Sequence, residues 1–192
     1  LGLLSGSLIP HFAFGLVLVV FISLLAKTSG AHFNPAVSFA FLLHKKINRP
    51  LFALYLAAQI MGAFFATYML KIVFPHSLEF GATIPKIALT SAFLVEMLLT
   101  SILVSVILFV SLVLQARPFI AAVFIGTTVA LCSYFAGSLT GASMNPARTL
   151  APNLFQGQLQ VSWIYILAPL LSAFITAYFF KKWLLNKKEV RP

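Results

Sequence analysis

Two asparagine-proline-alanine triplets are the residues in this chain whose types and spacing predict a chemical function. They are Asn34, Pro35, Ala36 and Asn145, Pro146, Ala147, and they lie 111 positions apart. Asparagine is among the best helix N-caps and proline is favoured at the first helical position, so each triplet is predicted to begin a helix. The side-chain amide of each asparagine would then lie at the positive end of a helix dipole.

The segments around the two triplets are copies of one repeat. Residues 30–39 and 141–150 align, and the same offset pairs Gly15 with Gly126, Ser29 with Thr140, and Ala57 with Ala168. Each predicted helix ends near residue 44 or 155, so it is about 15 Å long, half of a bilayer core. Two such half-helices that enter from opposite faces and meet at their tips would together make one span.

The composition indicates that these elements lie in a membrane. Hydrophobic residues make up 61% of the chain and charged residues 8%, too few to cover a surface in water. A single cysteine excludes a disulfide framework and a cysteine-based metal site, and we predict no metal and no cofactor. The net charge is +10, but the basic residues lie at the ends of apolar runs, which does not indicate nucleic-acid binding.

Five apolar runs are long enough to cross a bilayer, and we predict an all-α membrane protein; the runs are 8–26, 51–74, 87–114, 118–137 and 161–180. Residues 1–7 do not resemble a signal peptide. The stretch 74–85 is predicted to be a loop and 181–192 a basic tail. The offset places the partner of the third run before residue 1, so we expect the first repeat to lack its opening helix.

We therefore predict a single transmembrane domain, residues 1–192, made of a first repeat, 1–85, and a second, 86–192. Complete repeats of three spans would lie inverted, because three is odd. Only Lys71 and Lys86 are predicted outside. The positive-inside rule then gives a cytoplasmic C-terminus in the cell membrane, plasma or inner. The residues predicted inside are Lys27, Lys45, Lys46, Arg49, Arg117, Lys181, Lys182, Lys187, Lys188 and Arg191.

Arg148 and Glu96 are the charges predicted at membrane depth. An intramembrane arginine costs at least about 2.5 kcal/mol on insertion scales, so it is normally kept for a pathway or a partner. Arg148 would add donors and a positive field at the outer mouth of a passage; the alternative is an external loop. Glu96 is expected to satisfy backbone N–H groups of the neighbouring re-entrant loop.

Paired Asn-Pro-Ala triplets on half-helices, the second followed by Arg148, resemble the aquaporin, or major intrinsic protein, family over essentially the whole chain. The resemblance implies an inverted repeat of six spans with two re-entrant half-helices, a pore in every subunit, and a homotetramer in the lipid bilayer. Residues 29–37, 141–148 and 163–166 look most like the nodulin-type branch and its bacterial relatives. That branch is associated with glycerol and neutral metalloid acids such as arsenite, borate or silicate.

The resemblance also implies how the pore would work. Asn34 and Asn145 would donate amide hydrogens to water or hydroxyl oxygens, while the facing dipoles exclude cations and protons. Backbone carbonyls of both loops would supply the acceptors; these loop residues are Gly30, Ala31, His32, Phe33, Gly141, Ala142, Ser143 and Met144.

Four selectivity positions of the family, counted from the triplets, fall at Phe14, Ser133, Ala142 and Arg148. Ser133 stands where strict water channels usually have histidine, and with the small Ala142 it favours a wider pore. Phe14 argues the other way because it keeps one wall bulky. In glycerol facilitators an aspartate usually follows the arginine, and here Thr149 follows it.

These features predict a passive channel for water and small neutral solutes that excludes ions and protons; the alternative is a strict water channel. An ion-coupled transporter would need buried acids, and only Glu96 is available. A non-conducting scaffold would leave Arg148 and both asparagines unexplained. An enzyme is not expected, since no nucleophile, base and orienting residue recur together.

Several other residues are predicted to be structural. His11 is expected near the membrane interface, and His32 is expected to form a local hydrogen bond. Cys132 is expected to pack in the core. Gly62 and Ala66 are expected to give a small-residue face for close helix packing.

Overall fold

The computed structural model describes residues 9–76 and 81–189, with side chains for 10–76 and 81–186. The predictions for residues 1–7, for positions 77–80 of the loop and for Arg191 fall outside these ranges. All regular structure in the described residues is helical. The elements are α1 (Ile9–Ser29), α2 (Pro35–Leu43), α3 (Arg49–Val73), α4 (Leu89–Leu108, continued by a π-helical turn, Phe109–Val113), α5 (Pro118–Thr140), α6 (Pro146–Phe155) and α7 (Leu159–Glu189).

Both half-helices begin at the asparagines of the triplets. The backbone of Asn34 is extended, with φ −154°, and its Oδ1 accepts the N–H of Ala36 at 2.9 Å. The backbone of Asn145 is also extended, with φ −150°, and its Oδ1 accepts the N–H of Ala147 at 3.1 Å. Proline follows each cap at the start of the helix, where it interrupts no hydrogen bond. The half-helices are 9 and 10 residues long.

Within the described residues, five helices are long and apolar enough to cross a membrane: α1, α3, α4 with its π-helical turn, α5 and α7. The predicted fifth span, 161–180, ends too early, because α7 continues as a helix through the described part of the basic tail to Glu189. Hydropathy ends a predicted span at the first charges, whereas lysine and glutamate are good helix formers and continue the hydrogen-bonded turns.

The two repeats are interleaved by their half-helices. Helix α2 packs mainly against α7 of the second repeat, and α6 packs mainly against α3 of the first. The other large contacts join α1 to α5 and α4 to α7. In the described part of the chain the backbones of α1 and α3 stay apart, and the two helices are joined by the Tyr55 hydroxyl, which donates to the Ser29 carbonyl. Thr67 is the buried residue of α3.

Helices α1 and α5 cross at Gly15 and Gly126, which the repeat offset pairs. A Cβ on Gly15 would lie 2.5 Å from the Gly126 carbonyl oxygen, and one on Gly126 would lie 2.6 Å from that of Gly15. Only glycine allows this backbone contact. The predicted close packing at Gly62 is wrong for the described residues, since nothing lies within 4 Å of a Cβ there. Gly62 lines a cavity beside α3 instead.

Candidate functional site

The tips of the two half-helices are tied crosswise by their N-cap asparagines. Asn34 Nδ2 donates to the carbonyl of Met144 at 2.8 Å, and Asn145 Nδ2 donates to the carbonyl of Phe33 at 2.9 Å. The repeat offset pairs Phe33 with Met144, so the two bonds are equivalent. Each amide nitrogen carries two hydrogens, so the tie leaves one hydrogen on each for another acceptor.

The loops before the half-helices have the same backbone conformation at equivalent positions. Left-handed φ values occur at three positions in each loop, a conformation that is rare for residues other than glycine and costs energy. Surrounding hydrogen bonds must hold such loops. The pairs are Gly30 and Gly141 (+72° and +87°), Ala31 and Ala142 (+49° and +42°), and Phe33 and Met144 (+49° and +52°).

A buried carboxylate holds the second loop. Glu96, in α4, has 0% exposure. Its Oε1 accepts the hydroxyl of Thr140 at 2.7 Å and the N–H of Ser143 at 2.9 Å, and its Oε2 accepts the N–H of Met144 at 2.8 Å. The hydroxyl of Tyr165, in α7, donates to the Thr140 carbonyl at 2.5 Å. These bonds satisfy the buried carboxylate and fix the loop.

Neutral side chains hold the first loop. The Oγ of Ser38 lies 3.1 Å from His32 Nδ1 and accepts from Gln59 Nε2 at 2.9 Å. The hydroxyl of Tyr55 donates to the Ser29 carbonyl at 2.6 Å. Because the offset pairs Ser29 with Thr140, Tyr55 holds this loop as Tyr165 holds the second. The one carboxylate whose side chain the structure describes, Glu96, contacts the second loop only.

Two cavities adjoin the half-helix tips. The smaller, here called the midplane cavity, has a volume of about 60 Å³ and is lined by Phe14, Asn34, Asn145 and apolar side chains of α1, α4 and α5. It is large enough for a few water molecules. The larger, here called the lateral cavity, has a volume of about 850 Å³ and extends along α3, with Phe14 and Arg148 in its wall.

The four predicted selectivity residues lie in two different environments. Phe14 and Arg148 line the lateral cavity, and Arg148 Nη1 donates to the carbonyl of Gly81 at 3.1 Å. Ser133 and Ala142 are buried, with 8% and 3% exposure, and line neither cavity.

Sequence reasoning missed a partner of Ser133. His11 Nδ1 lies 2.8 Å from Ser133 Oγ, and His11 has 8% exposure, so its side chain packs against α5 near the start of α1. The available signal was spacing, because His11 lies one helical turn before Phe14. The residues around Gly81 were also missed, since a loop carbonyl has no sequence signature.

Within the described ranges no three His, Cys, Asp or Glu side chains come together as a metal site would require. Cys132 lies in an apolar cluster with Leu103, Val129 and Ala136. The chemistry available at the half-helix tips is therefore that of amide donors, backbone carbonyls and one guanidinium.

Comparison with known proteins identifies the family. The family model for the major intrinsic protein matches residues 5–180. The chain is 36% identical over 163 residues to aquaporin NIP6-1 of Arabidopsis thaliana, covering 85% of this chain and 53% of that protein. It is 36% identical over 165 residues to nodulin-26 of Glycine max, covering 85% and 61%. The chain thus spans little more than half of the length of these relatives.

Two further proteins connect the chain to solute channels. It is 38% identical over 174 residues to glycerol uptake facilitator protein-like 6 of Lactiplantibacillus plantarum, covering 86% of this chain and 80% of that protein. The X-ray structure of the aquaglyceroporin from Plasmodium falciparum matches with a TM-score of 0.79 and 26% identity, covering 90% and 80%. Members of the matched family are passive channels rather than enzymes. The chain is a multi-pass membrane protein with the aquaporin fold, and it belongs to the major intrinsic protein family.

Proposed function

We propose that this chain forms a passive pore for water and small uncharged solutes. The observation that carries the proposal is the crosswise tie of Asn34 and Asn145, which leaves one amide hydrogen on each for a solute oxygen. Both residues line the midplane cavity, whose remaining wall is largely apolar. A single file of waters or hydroxyl groups could accept from these amides and make few other hydrogen bonds.

We further propose that the pore excludes ions and protons. Both half-helices present their N-terminal ends to the midplane cavity, so a cation there meets the positive ends of two dipoles. Both oxygens of Glu96 are engaged by the second loop, so this carboxylate does not offer a cation site. Arg148 adds a positive charge in the wall of the lateral cavity.

The proposed solutes include glycerol and, through the nodulin-like resemblance, neutral metalloid acids such as arsenite, borate or silicate. Support comes from the small residues Ser133 and Ala142 at two selectivity positions and from relatives whose names refer to glycerol. A strict water channel is the second candidate. It is favoured by the His11 bond to Ser133, because this bond places an imidazole beside a position where water channels carry one.

Stopped-flow light scattering on proteoliposomes distinguishes the two candidates. A sucrose step should shrink vesicles that contain the protein faster than empty vesicles. A glycerol step should then give fast shrinkage followed by fast re-swelling if the pore admits glycerol. Fast shrinkage without re-swelling would contradict the glycerol proposal and support the strict water channel.

Ser133 offers a direct test of pore width. Ser133→His should abolish the re-swelling phase and spare water flux, because a second imidazole beside buried His11 has no free space and must push its neighbours towards the passage. Ser133→Ala is the matched control, since it removes the hydroxyl without adding bulk, and it should retain re-swelling. Retained re-swelling in Ser133→His would contradict the assignment of this position.

We also propose the assembly and orientation that the sequence predicts: inverted repeats 1–85 and 86–192, a homotetramer, and a cytoplasmic C-terminus in the plasma or inner membrane. The clustering of basic residues supports the orientation. A reporter fused to the C-terminus should be protected from external protease in intact cells. The mass of the detergent-solubilised protein should correspond to four chains.

A further inference from the structure

Asn153 joins the segment after α3 to the second half-helix. The Asn153 side chain is fully buried, with 0% exposure. Its Oδ1 accepts the N–H of Thr83 at 2.9 Å, and its Nδ2 donates to the carbonyl of Thr83 at 3.0 Å. One side-chain amide thus pairs with both polar backbone groups of one residue. This pairing fixes the position and the orientation of Thr83 relative to α6.

Thr83 is also held by the loop that it covers. It has 0% exposure, and its Oγ1 lies 2.7 Å from the Oγ1 of Thr149. A Cβ on Gly141 would lie 2.9 Å from Thr83 Cγ2, so Thr83 packs directly on the first residue of the second repeat phrase. The segment around Thr83 therefore lies against both the second loop and its half-helix.

The same segment carries the acceptor for Arg148. Gly81 lies two residues before Thr83, and its carbonyl accepts from Arg148 Nη1 at 3.1 Å. Gly81 has φ +85° and is exposed, so its own packing does little to hold it. Its carbonyl position depends on the anchored Thr83.

We propose that Asn153 is a positioning residue for selectivity: by pairing with the backbone of Thr83, it places the Gly81 carbonyl that orients Arg148 in the pore wall. This inference rests on the proposed function. Without the pairing, Gly81 moves away and the Arg148 guanidinium gains rotamer freedom. The passage beside Phe14 then admits larger solutes more readily, while water, which is smaller, is affected less.

The test measures the ratio of glycerol permeability to water permeability in proteoliposomes that contain either the unchanged protein or the variant Asn153→Ala. Asn153→Ala should raise the ratio by about three- to tenfold, the factor for one net hydrogen bond. Asn153→Asp is the second variant. It keeps the shape and the acceptor for Thr83 but loses the donor, and it should raise the ratio as well. Ser162→Ala is the matched control: it removes the 3.1 Å bond from Asn153 to α7 and should leave the ratio unchanged.

A double-variant comparison separates positioning from general loosening of the fold. If Asn153 acts through Arg148, then Asn153→Ala should leave the ratio unchanged in an Arg148→Ala background. An equal rise in that background, or an unchanged ratio in Asn153→Ala itself, would overturn the inference and leave the proposed function standing. A parent protein no more permeable than empty vesicles would contradict the proposed function and this inference with it.

Discussion

The two re-entrant loops share one backbone conformation but are held by different chemistry. The second is held by a carboxylate, Glu96, which accepts two backbone N–H groups and a hydroxyl. The first is held by neutral groups, with Ser38 between His32 and Gln59. Both loops retain a tyrosine, Tyr55 or Tyr165, on equivalent carbonyls. The repeat thus preserves the loop geometry and the asparagine amides at the half-helix tips, whereas the supporting side chains differ.

The ends of the half-helices differ in the same way. His44 is the C-cap of α2, and the repeat offset pairs it with Phe155, the last residue of α6. Burial lowers the pKa of the His44 imidazole below its usual value of 6.5, and Lys181 and Lys46 lower it further, against a hydrogen bond to Ala177 that raises it. Phe155 cannot titrate. Sensitivity to acid at a half-helix end is therefore expected in the first repeat only.

The largest expected effect comes from removing the carboxylate. Glu96→Ala leaves three buried donors without their acceptor and should lower the free energy of unfolding by about 4 kcal/mol. Gln59→Ala removes the α3 donor to Ser38 beside the first loop and should lower the free energy of unfolding by about 1 kcal/mol. Unfolding in detergent micelles titrated with dodecyl sulfate measures both. Equal losses would contradict the difference drawn between the two loops.

The helix crossing should respond equally from both repeats. Gly15→Ala and Gly126→Ala each force a Cβ against the carbonyl of the other glycine and should each cost about 2 kcal/mol. Gly62→Ala is the matched control, because its Cβ meets no described atom and helix propensity favours alanine by about 1 kcal/mol. The same dodecyl sulfate titration applies. Destabilisation by Gly62→Ala as large as that by Gly15→Ala would contradict the assigned crossing.

The two tyrosines that bond to equivalent carbonyls provide a finer comparison. Tyr165→Phe removes a hydrogen bond in a fully buried site and should cost about 1.5 kcal/mol. Tyr55→Phe removes the equivalent bond beside the lateral cavity, where water can replace it, and should cost about 0.5 kcal/mol. The unfolding free energies of the two variants should therefore differ. The reverse order would show that Tyr55 is the more protected residue.

The smallest expected effect is the pH dependence at His44. Because its folded pKa is lowered, the unfolded chain binds the proton more readily. His44 therefore contributes full stability above pH 6.5, and this stability is lost as pH falls through the folded pKa. His44→Phe should reduce the drop in thermal unfolding midpoint between pH 7.5 and pH 5. A drop in His44→Phe as large as in the parent protein would contradict this assignment.

The sequence was sufficient wherever local chemistry decides the structure. Asn34 and Asn145 start their half-helices because the N-cap hydrogen bond and the following proline act within a few residues. The apolar runs of adequate length form helices that are long enough to cross a membrane. The predicted end of the fifth span came too early because hydropathy reports burial in lipid, whereas the end of α7 depends on helical hydrogen bonding. His11 and Asn153 were missed because their partners lie 122 and 70 positions away in the chain. Helical spacing places His11 one turn before Phe14, but it does not identify Ser133 or Thr83 as a partner.

The half-helix tips are proposed to form a pore that passes water and excludes protons. The most direct test measures both fluxes in one preparation of proteoliposomes loaded with a pH-sensitive dye. Osmotic shrinkage should be at least about ten times faster than in empty vesicles. A tenfold rate corresponds to a permeation barrier that is lower by roughly 1.4 kcal/mol. Proton entry under a pH gradient should equal that of empty vesicles. Shrinkage no faster than in empty vesicles would contradict a water pore. Proton entry that rises with the protein content would contradict the exclusion of protons.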